Sequence, residues 1–343
     1  MIDIHPKDLT LAQLRAQMLR WDEKPFRGEQ VFRGLYRHGA RTPDEIRGIP
    51  AELRKKLPAE LFMLRLNDRI ASRQDETQKF LFEAADGVLL ETVYMEYSYG
   101  STVCISSQAG CRMGCAFCAS GLPGLMRNLT PGEMADQVLL ARELSGADIR
   151  HVVVMGTGEP FDNPESLAAF IEIITDPLGL GLSRRGITVS TCGLLGQLAR
   201  FAKAFPQVGV AISLHAPNDL IRQKIMPVAR RYPMDKVLAA ARAYTEETGR
   251  RITFEYALIG GVNDAREHAE ELAEKLRGMN AHVNLIRLHT VPESGLAASD
   301  SAHVEGFLQT LLSRHIQATL RRSLGEDIFA ACGQLRNSRT KPR

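Results

Sequence analysis

The amino-acid sequence predicts an α/β fold in which parallel strands and outer helices form a full or partial barrel. From residue 101 onward apolar, strand-like runs recur: TVCIS, HVVVM, ITVST, GVAISL, ITFEYALI and HVNLIRL, with QATLRR as a seventh. Helical patterns such as ESLAAFIEII, MDKVLAAARAYTEET and AREHAEELAEKLRG fall between them. This alternation is that of parallel strands joined by crossover helices. The unusual phrases, moreover, each follow a strand: GCRMGCAFC after TVCIS, GTGEP after HVVVM, TCG after ITVST, then SLHAPND and HTVPES. In a barrel such loops share one rim, where active sites are built.

The elements ahead of the barrel differ in character. Residues 7–62 read as helical. In DLTLAQLRAQMLRW, Thr10 and Gln13 have capping-box spacing, and Leu11, Leu14 and Met18 form one apolar stripe. A second helix over 27–38 gathers Val31, Phe32, Leu35 and Tyr36 on one side and stops at Gly39, and IPAELRKKL supplies a third. Arg33, Arg37, Lys55 and Lys56 lie on the outer side, as a solvated face or a binding surface. Residues 63–100 switch to β-rich patterns, KFLFEA and GVLLETVYMEY. The organisation expected is a helical accessory unit (1–62), a β-rich connection (63–100), the barrel (101–325) and a C-terminal segment (326–343).

With 44% hydrophobic and 24% charged residues, the 343-residue chain has the balance of a globular protein with a substantial core. No apolar run is long enough for a membrane helix. The opening MIDIHPKDLT has no apolar signal core, so a cytoplasmic protein is expected. The net charge of +3 says little about nucleic acid, but seven Lys/Arg against two acids between Arg314 and Arg343 make a basic tail. Six cysteines in an unexported chain point to metal or redox chemistry rather than a disulfide scaffold.

Three of the cysteines, Cys111, Cys115 and Cys118, stand in a CxxxCxxC arrangement. A closed structural zinc site needs a fourth ligand, a part open to Cys104. Four irons of an iron–sulfur cluster also call for four ligands, so three thiolates would leave one iron open. CxxxCxxC ahead of a βα barrel resembles the radical S-adenosylmethionine superfamily, in which the open iron binds that cofactor. GTGEP lacks the third glycine of a dinucleotide fingerprint, since Phe161 occupies its place. It is similar instead to the superfamily's GGEP-type segment, where the backbone of Gly158 and Glu159 would hold the cofactor's amino group.

A closer resemblance is carried by EKPFRGEQVFRGLYRHG, ETVYMEY, CISSQAGCRMGCAFCASG, SLHAPNDLIR and DIFAACGQLR. These resemble, in order and over nearly the whole chain, segments of the RlmN/Cfr group of RNA adenosine methyltransferases. That resemblance implies a partial (β/α)6 barrel with an N-terminal helical domain that helps to hold RNA. It implies a [4Fe-4S] cluster on Cys111, Cys115 and Cys118, and two S-adenosylmethionine molecules per turnover. Cys332 would carry a methyl group received from the first molecule; the second would activate that group for addition to an electron-poor adenine carbon. Glu91 would be the base at that carbon, and Cys104 would resolve the enzyme–RNA adduct by a transient disulfide with Cys332. Ser190, Ser213, Leu214 and His215 match cofactor-contacting positions. In NLIRLHT, His289 stands where the family usually has asparagine at its last cofactor contact, and Arg287 where proline is common. Cys192 matches no functional position.

The implied reaction is methylation of adenosine C2 in 23S rRNA, with transfer RNA as a second substrate and flavodoxin or ferredoxin as electron donor. Cfr-type methylation at C8 and a divergent paralogue with another RNA target remain the alternatives within the class. Outside it stand a non-catalytic RNA-binding protein held by zinc or a cluster, and a radical enzyme acting on a small molecule.

Overall fold

Burial of a short helical stripe starts the structure, a computed structural model that describes residues 4–289, 291–330 and 333–335. Helix α1 (Leu11–Arg20) opens with a complete capping box: Thr10 Oγ1 accepts from the Gln13 amide and Gln13 Oε1 from the Thr10 amide. Its Leu14 and Met18 are fully buried against Val31, Phe32, Leu35 and Tyr36 of α2 (Phe26–Tyr36). Gly39, at φ +64°, turns the chain toward α3 (Ala51–Lys56).

An antiparallel meander follows: β1 (Leu64–Ala71), β2 (Gln78–Ala84), β3 (Leu89–Tyr97) and β4 (Gly100–Ile105). The edge strand β1 is mostly exposed and carries Arg65, Asp68 and Arg69, which discourages pairing with another chain. A two-stranded hairpin, β5 (Gln108–Gly110) with β6 (Leu125–Asn128), then interrupts the pattern.

From β4 the pairing becomes parallel, through β7 (Ile149–Val154), β8 (Ile187–Thr191), β9 (Gly209–Ser213), β10 (Ile252–Leu258), β11 (Ala281–Arg287) and the short β12 (Ala318–Leu320). The crossovers are α4 (Pro131–Ser145), α5 (Pro164–Thr175), α6 (Leu195–Ala204), the pair α7 (Asp219–Ile225) and α8 (Met234–Thr248), α9 (Arg266–Leu276) and α10 (Ser301–Ser313). Six βα steps and a last strand thus form an α/β fold of the partial (β/α)6 kind. Among the described residues the ten-stranded sheet runs from β1 to β12 without its two edges pairing, so the barrel stays open. Consecutive buried residues such as Val210, Ala211 and Ile212 reflect strands covered on both faces.

The N-terminal helices share one hydrophobic cluster with the barrel helices and are pinned there by a buried ion pair. Lys7, wholly buried, pairs with Asp136 on α4, and its ammonium also sits 3.3 Å from the centroid of the Phe62 ring. The second Asp136 oxygen accepts from the amides of Met63 (2.6 Å) and Leu64 (3.3 Å), and Tyr36 donates its hydroxyl to the Lys7 carbonyl at 2.5 Å. Removing one member of such a pair strands the other charge in a dry interior. Lys7→Met is therefore expected to lower the unfolding free energy by about 3–5 kcal/mol, as read from urea denaturation.

Candidate active site: two cavities beneath the C-terminal segment

The three motif cysteines occupy the loop between β5 and β6, and glycines set its shape. Gly110 ends β5 at φ +75°, where a Cβ would lie 1.9 Å from the Gly124 carbonyl oxygen. Glycine alone permits that approach, and the Cys111 amide closes the loop onto the same oxygen at 3.0 Å. A turn from the Cys115 carbonyl to the Cys118 amide (3.1 Å) and a bond from the Ala116 amide to the Ile225 carbonyl (2.9 Å) fix the rest. All three thiols line one cavity of about 160 Å³ at the C-terminal ends of the parallel strands. Burial pushes the Cys111 thiol up to about 11 and the Cys115 thiol well above its ordinary value, each raised further by the neighbouring thiols. Thiolates are thus costly here unless a cation balances them.

The opposite walls come from the loops after β7, β8 and β9. Gly158, at φ +110°, presses on the Gln108 side chain so closely that a Cβ would come within 2.6 Å of it. Glu159 lines the cavity but its carboxylate is a brace: it accepts from the Cys192 amide at 2.7 Å and the Phe161 amide at 3.0 Å. Ser190 and Ser213 face the cavity with their hydroxyls 3.5 Å apart. His215, at φ +54°, accepts from the Ala257 amide through Nδ1 at 2.9 Å, which leaves the ring proton on Nε2. Its ring meets Phe117 edge-on and lines the same cavity. Leu214 is different: it lies fully buried in the core, away from the cavity wall, and contributes only backbone bonds that hold the strand end.

A second cavity adjoins the first. Cys104, Met95, Tyr97, Leu324, Ala330 and Leu335 line it, and Met155, Ile286, His289 and Arg321 line both. Cys104 pairs in register with Val93 and sits in a small apolar cluster with Val93, Met95, Ile328 and Ala330. It does not stand beside the three motif thiols as the fourth ligand of a closed site. Glu91 lies on the same face of β3 as Val93 and Met95, buried, 3.1 Å from the Lys79 ammonium. Lys79 donates in turn to the Phe329 carbonyl at 3.2 Å. His289 approaches Glu326 through Nδ1 (3.6 Å) and Ser323 through Nε2 (3.5 Å), linking the end of β11 to the C-terminal segment. Cys332 lies outside the described residues. Gly333 lines the first cavity, while Ala330 and Leu335 line the second.

Several residues at the site were not singled out from sequence. Arg222, wholly buried, donates to the carbonyls of Leu214, Tyr232, Cys192 and Ser213 and so gathers the ends of β8 and β9; its only sign was its place at the end of SLHAPNDLIR. Glu255 faces the first cavity from β10, held by Asn284 at 3.0 and 3.2 Å. Cys192, which matches no functional position in the resemblance, is buried at that cavity's wall.

A family profile described as the Radical SAM superfamily matches residues 105–276, and one described as the Ribosomal RNA large subunit methyltransferase N-terminal domain matches residues 6–63. A probable dual-specificity RNA methyltransferase RlmN from Pelotomaculum thermopropionicum is 48% identical over 337 residues, 97% of this chain and 91% of that one. The chain belongs to the RlmN family of radical S-adenosylmethionine RNA methyltransferases. An RlmN-family relative from Lachnoclostridium phytofermentans is 46% identical over 99% of this chain and 95% of its own. The crystal structure of a radical SAM methyltransferase from Sphaerobacter thermophilus matches with a TM-score of 0.92 at 44% identity, covering 98% of this chain and 100% of that one. No helix among the described residues is long and apolar enough to cross a membrane.

Membership of the RlmN family implies a [4Fe-4S] cluster and S-adenosylmethionine, and the first cavity fits both. Three thiols of one wall share a cavity with Gly158, serine hydroxyls and the His215 ring. Burial, with the nearby Arg222 charge, holds the His215 imidazole down to about 3, so it is neutral in the folded protein. The unfolded chain takes up a proton near pH 6.5 that the folded chain refuses, so stability is full above that pH and declines as pH falls toward 3. His215→Asn is expected to remove a slope of about 1.4 kcal/mol per pH unit below pH 6.5, seen by comparing denaturation midpoints with wild type at pH 7 and 5.5.

Proposed function

We propose that this chain methylates C2 of an adenosine in 23S rRNA, with transfer RNA as a second substrate, through a methyl group carried on Cys332. The observation that carries the reading is the course of the C-terminal segment. The described residues flanking Cys332 line both the cavity walled by Cys111, Cys115 and Cys118 and the cavity walled by Cys104. Relatives bearing the name dual-specificity RNA methyltransferase support two RNA substrates.

In this reading Cys111, Cys115 and Cys118 would hold the cluster, and the absence of a Gly158 side chain would let the backbone approach the cofactor. Ser190, Ser213, the Nε2 proton of His215 and the imidazole of His289 meet its polar groups, and Leu214 acts only by fixing the strand end. When bound, the cluster and S-adenosylmethionine, with one electron from a donor such as flavodoxin or ferredoxin, supply abstraction of a hydrogen atom. Cys332 would carry the methyl group that one S-adenosylmethionine supplies, and a second molecule would supply its activation. The Cys332 methylene carbon then bonds to adenine. Glu91, 3.1 Å from the Lys79 ammonium, would remove the proton from the substituted carbon as the adduct's unpaired electron returns to the oxidised electron donor, which restores the aromatic ring. Cys104 attacks the Cys332 sulfur as thiolate; the S–CH2 electron pair passes to the departing carbon, which takes up a proton. A Cys104–Cys332 disulfide remains, to be reduced by an external thiol. The N-terminal helices help hold the RNA through Arg33 and Arg37, in the cytoplasm where that RNA resides.

Anaerobic reconstitution followed by nucleoside mass spectrometry of 23S rRNA and transfer RNA tests this. The expected product is 2-methyladenosine from both, with none from Cys332→Ala and a trapped protein–RNA adduct from Cys104→Ala. Formation of 8-methyladenosine alone would overturn the regiochemistry, and methyl transfer by Cys332→Ala would overturn the carrier role.

A further inference from the structure

The alternation that turns Glu91, Val93 and Met95 toward the C-terminal segment brings Tyr97 to the rim of the second cavity, which it lines with Cys104 and Arg321. In the β3–β4 turn, Tyr99 lays its ring parallel to that of Tyr97, centroids 4.9 Å apart and planes 8° from coplanar. His151 supports Tyr99 edge-on at 5.3 Å. Tyr99 is nevertheless 62% exposed, so the stack presents an aromatic ring to solvent at the cavity mouth. The fold gains little from an aromatic left there, since burial is what makes such a ring stabilising. The surroundings are basic: Arg321 lines both cavities and its charge acts on the Tyr99 phenol, while Arg322 is exposed on the rim of the second. The nearby acids already have partners: Asp75, which feels the Arg322 charge, accepts from the Gly325 amide at 3.1 Å and the Thr77 amide at 2.8 Å. Glu96 lies on the opposite strand face, accepting from Tyr94 at 2.5 Å and Ser101 at 2.7 Å, and Glu326 faces His289.

An aromatic step from solvent into a cavity, flanked by arginine, suits one kind of ligand. Unpaired RNA bases splay out and stack on aromatic rings while arginines meet the backbone. We propose that Tyr99 is a stacking platform for an unpaired nucleobase next to the target adenosine, with Arg322 contacting a flanking phosphate. Tyr97 holds the platform in place and borders the path of the target base into the second cavity. The inference rests on the RNA-methyltransferase reading and adds the element that grips RNA at the entrance.

The test measures affinity of the full chain for a fluorescein-labelled tRNA transcript by anisotropy, and methyl transfer to the same RNA by the reconstituted enzyme with S-adenosylmethionine and reductant. Tyr99→Ala is expected to weaken binding by about 5- to 100-fold, the factor a base–aromatic stack supplies, and Tyr99→Trp to retain it. Thermal unfolding should match wild type in both, since the outer ring is not part of the core. Replacing the target's neighbour by an abasic nucleotide should weaken wild type while leaving Tyr99→Ala unchanged. Arg322→Ala should lower the dependence of log affinity on log salt by about one. If Tyr99→Ala binds and methylates RNA as wild type does, the platform is wrong and the enzymatic reading stands. If wild type neither binds nor methylates RNA, that reading fails and the platform with it. A change in sedimentation of Tyr99→Ala without a change in RNA affinity would assign the stack to self-association and overturn the proposal.

Discussion

The site depends on the C-terminal segment being held down over the open side of the barrel. Three distant parts of the chain do this. Asp327 accepts from the Ser72 hydroxyl at 2.7 Å and the Arg73 amide at 2.9 Å, and Asp75 accepts from the Gly325 amide at 3.1 Å, all at the β1–β2 turn. Lys79 reaches the Phe329 carbonyl from β2. The cysteine loop holds the far end: the Ala119 amide donates to Gly333 at 2.8 Å and the Ser120 hydroxyl to Leu335 at 3.1 Å. Leu324, Ile328, Ala330 and Leu335 then bury against Val93 and Met95. Each polar bond is modest alone, on the order of 1 kcal/mol. Together they return a segment more than 200 residues downstream to the loop that bears the motif cysteines.

The barrel's own contribution is electrostatic order in a dry space. Arg222 places one buried positive charge among four carbonyl oxygens where β8 and β9 end, and the Glu159 carboxylate ties the loop after β7 to the Cys192 amide. Glu255 adds a buried carboxyl whose ionisation burial opposes while the nearby Arg321 favours it. Charges fixed in such surroundings need no rearrangement when a charged ligand arrives. The rim is thereby rigid at the strand ends, while its loops carry the chemistry.

Much of this was legible in the sequence because it depends on period and spacing. The seven parallel strands and the Thr10 capping box are local signals, and they appear where the residues place them. The second helix runs from Phe26 to Tyr36 rather than over 27–38, so it ends at its last apolar residue and before Gly39, which turns the chain at φ +64°. The β5–β6 hairpin escaped notice because two strands of three and four residues carry no usable alternation, and the close Gly110–Gly124 approach beside their pairing depends on glycine. Arg222 and Lys7 were illegible for another reason: their burial is set by partners 8 to 129 residues away, and an isolated Arg or Lys reads as surface. Leu214 shows the reverse. Its neighbours Ser213 and His215 face the cavity, but its side chain completes the core.

The antiparallel meander explains why the barrel's first strand is not its edge. By adding β3 beside β4, it extends the sheet past the cysteine loop and gives the second cavity a floor. On that floor, alternate residues of one strand carry different duties in a fixed order: Glu91 beneath the segment near Phe329, Val93 opposite Cys104, Met95 in the apolar cluster, Tyr97 at the rim. Alternate residues on one face are about 6.6 Å apart, so the line from Glu91 to Tyr97 spans about 20 Å. That length separates the proposed proton acceptor from the entrance by more than one nucleotide. A strand keeps those separations because each backbone group is tied to a neighbour on either side. A loop carrying the same four residues would have to fix each distance by separate contacts.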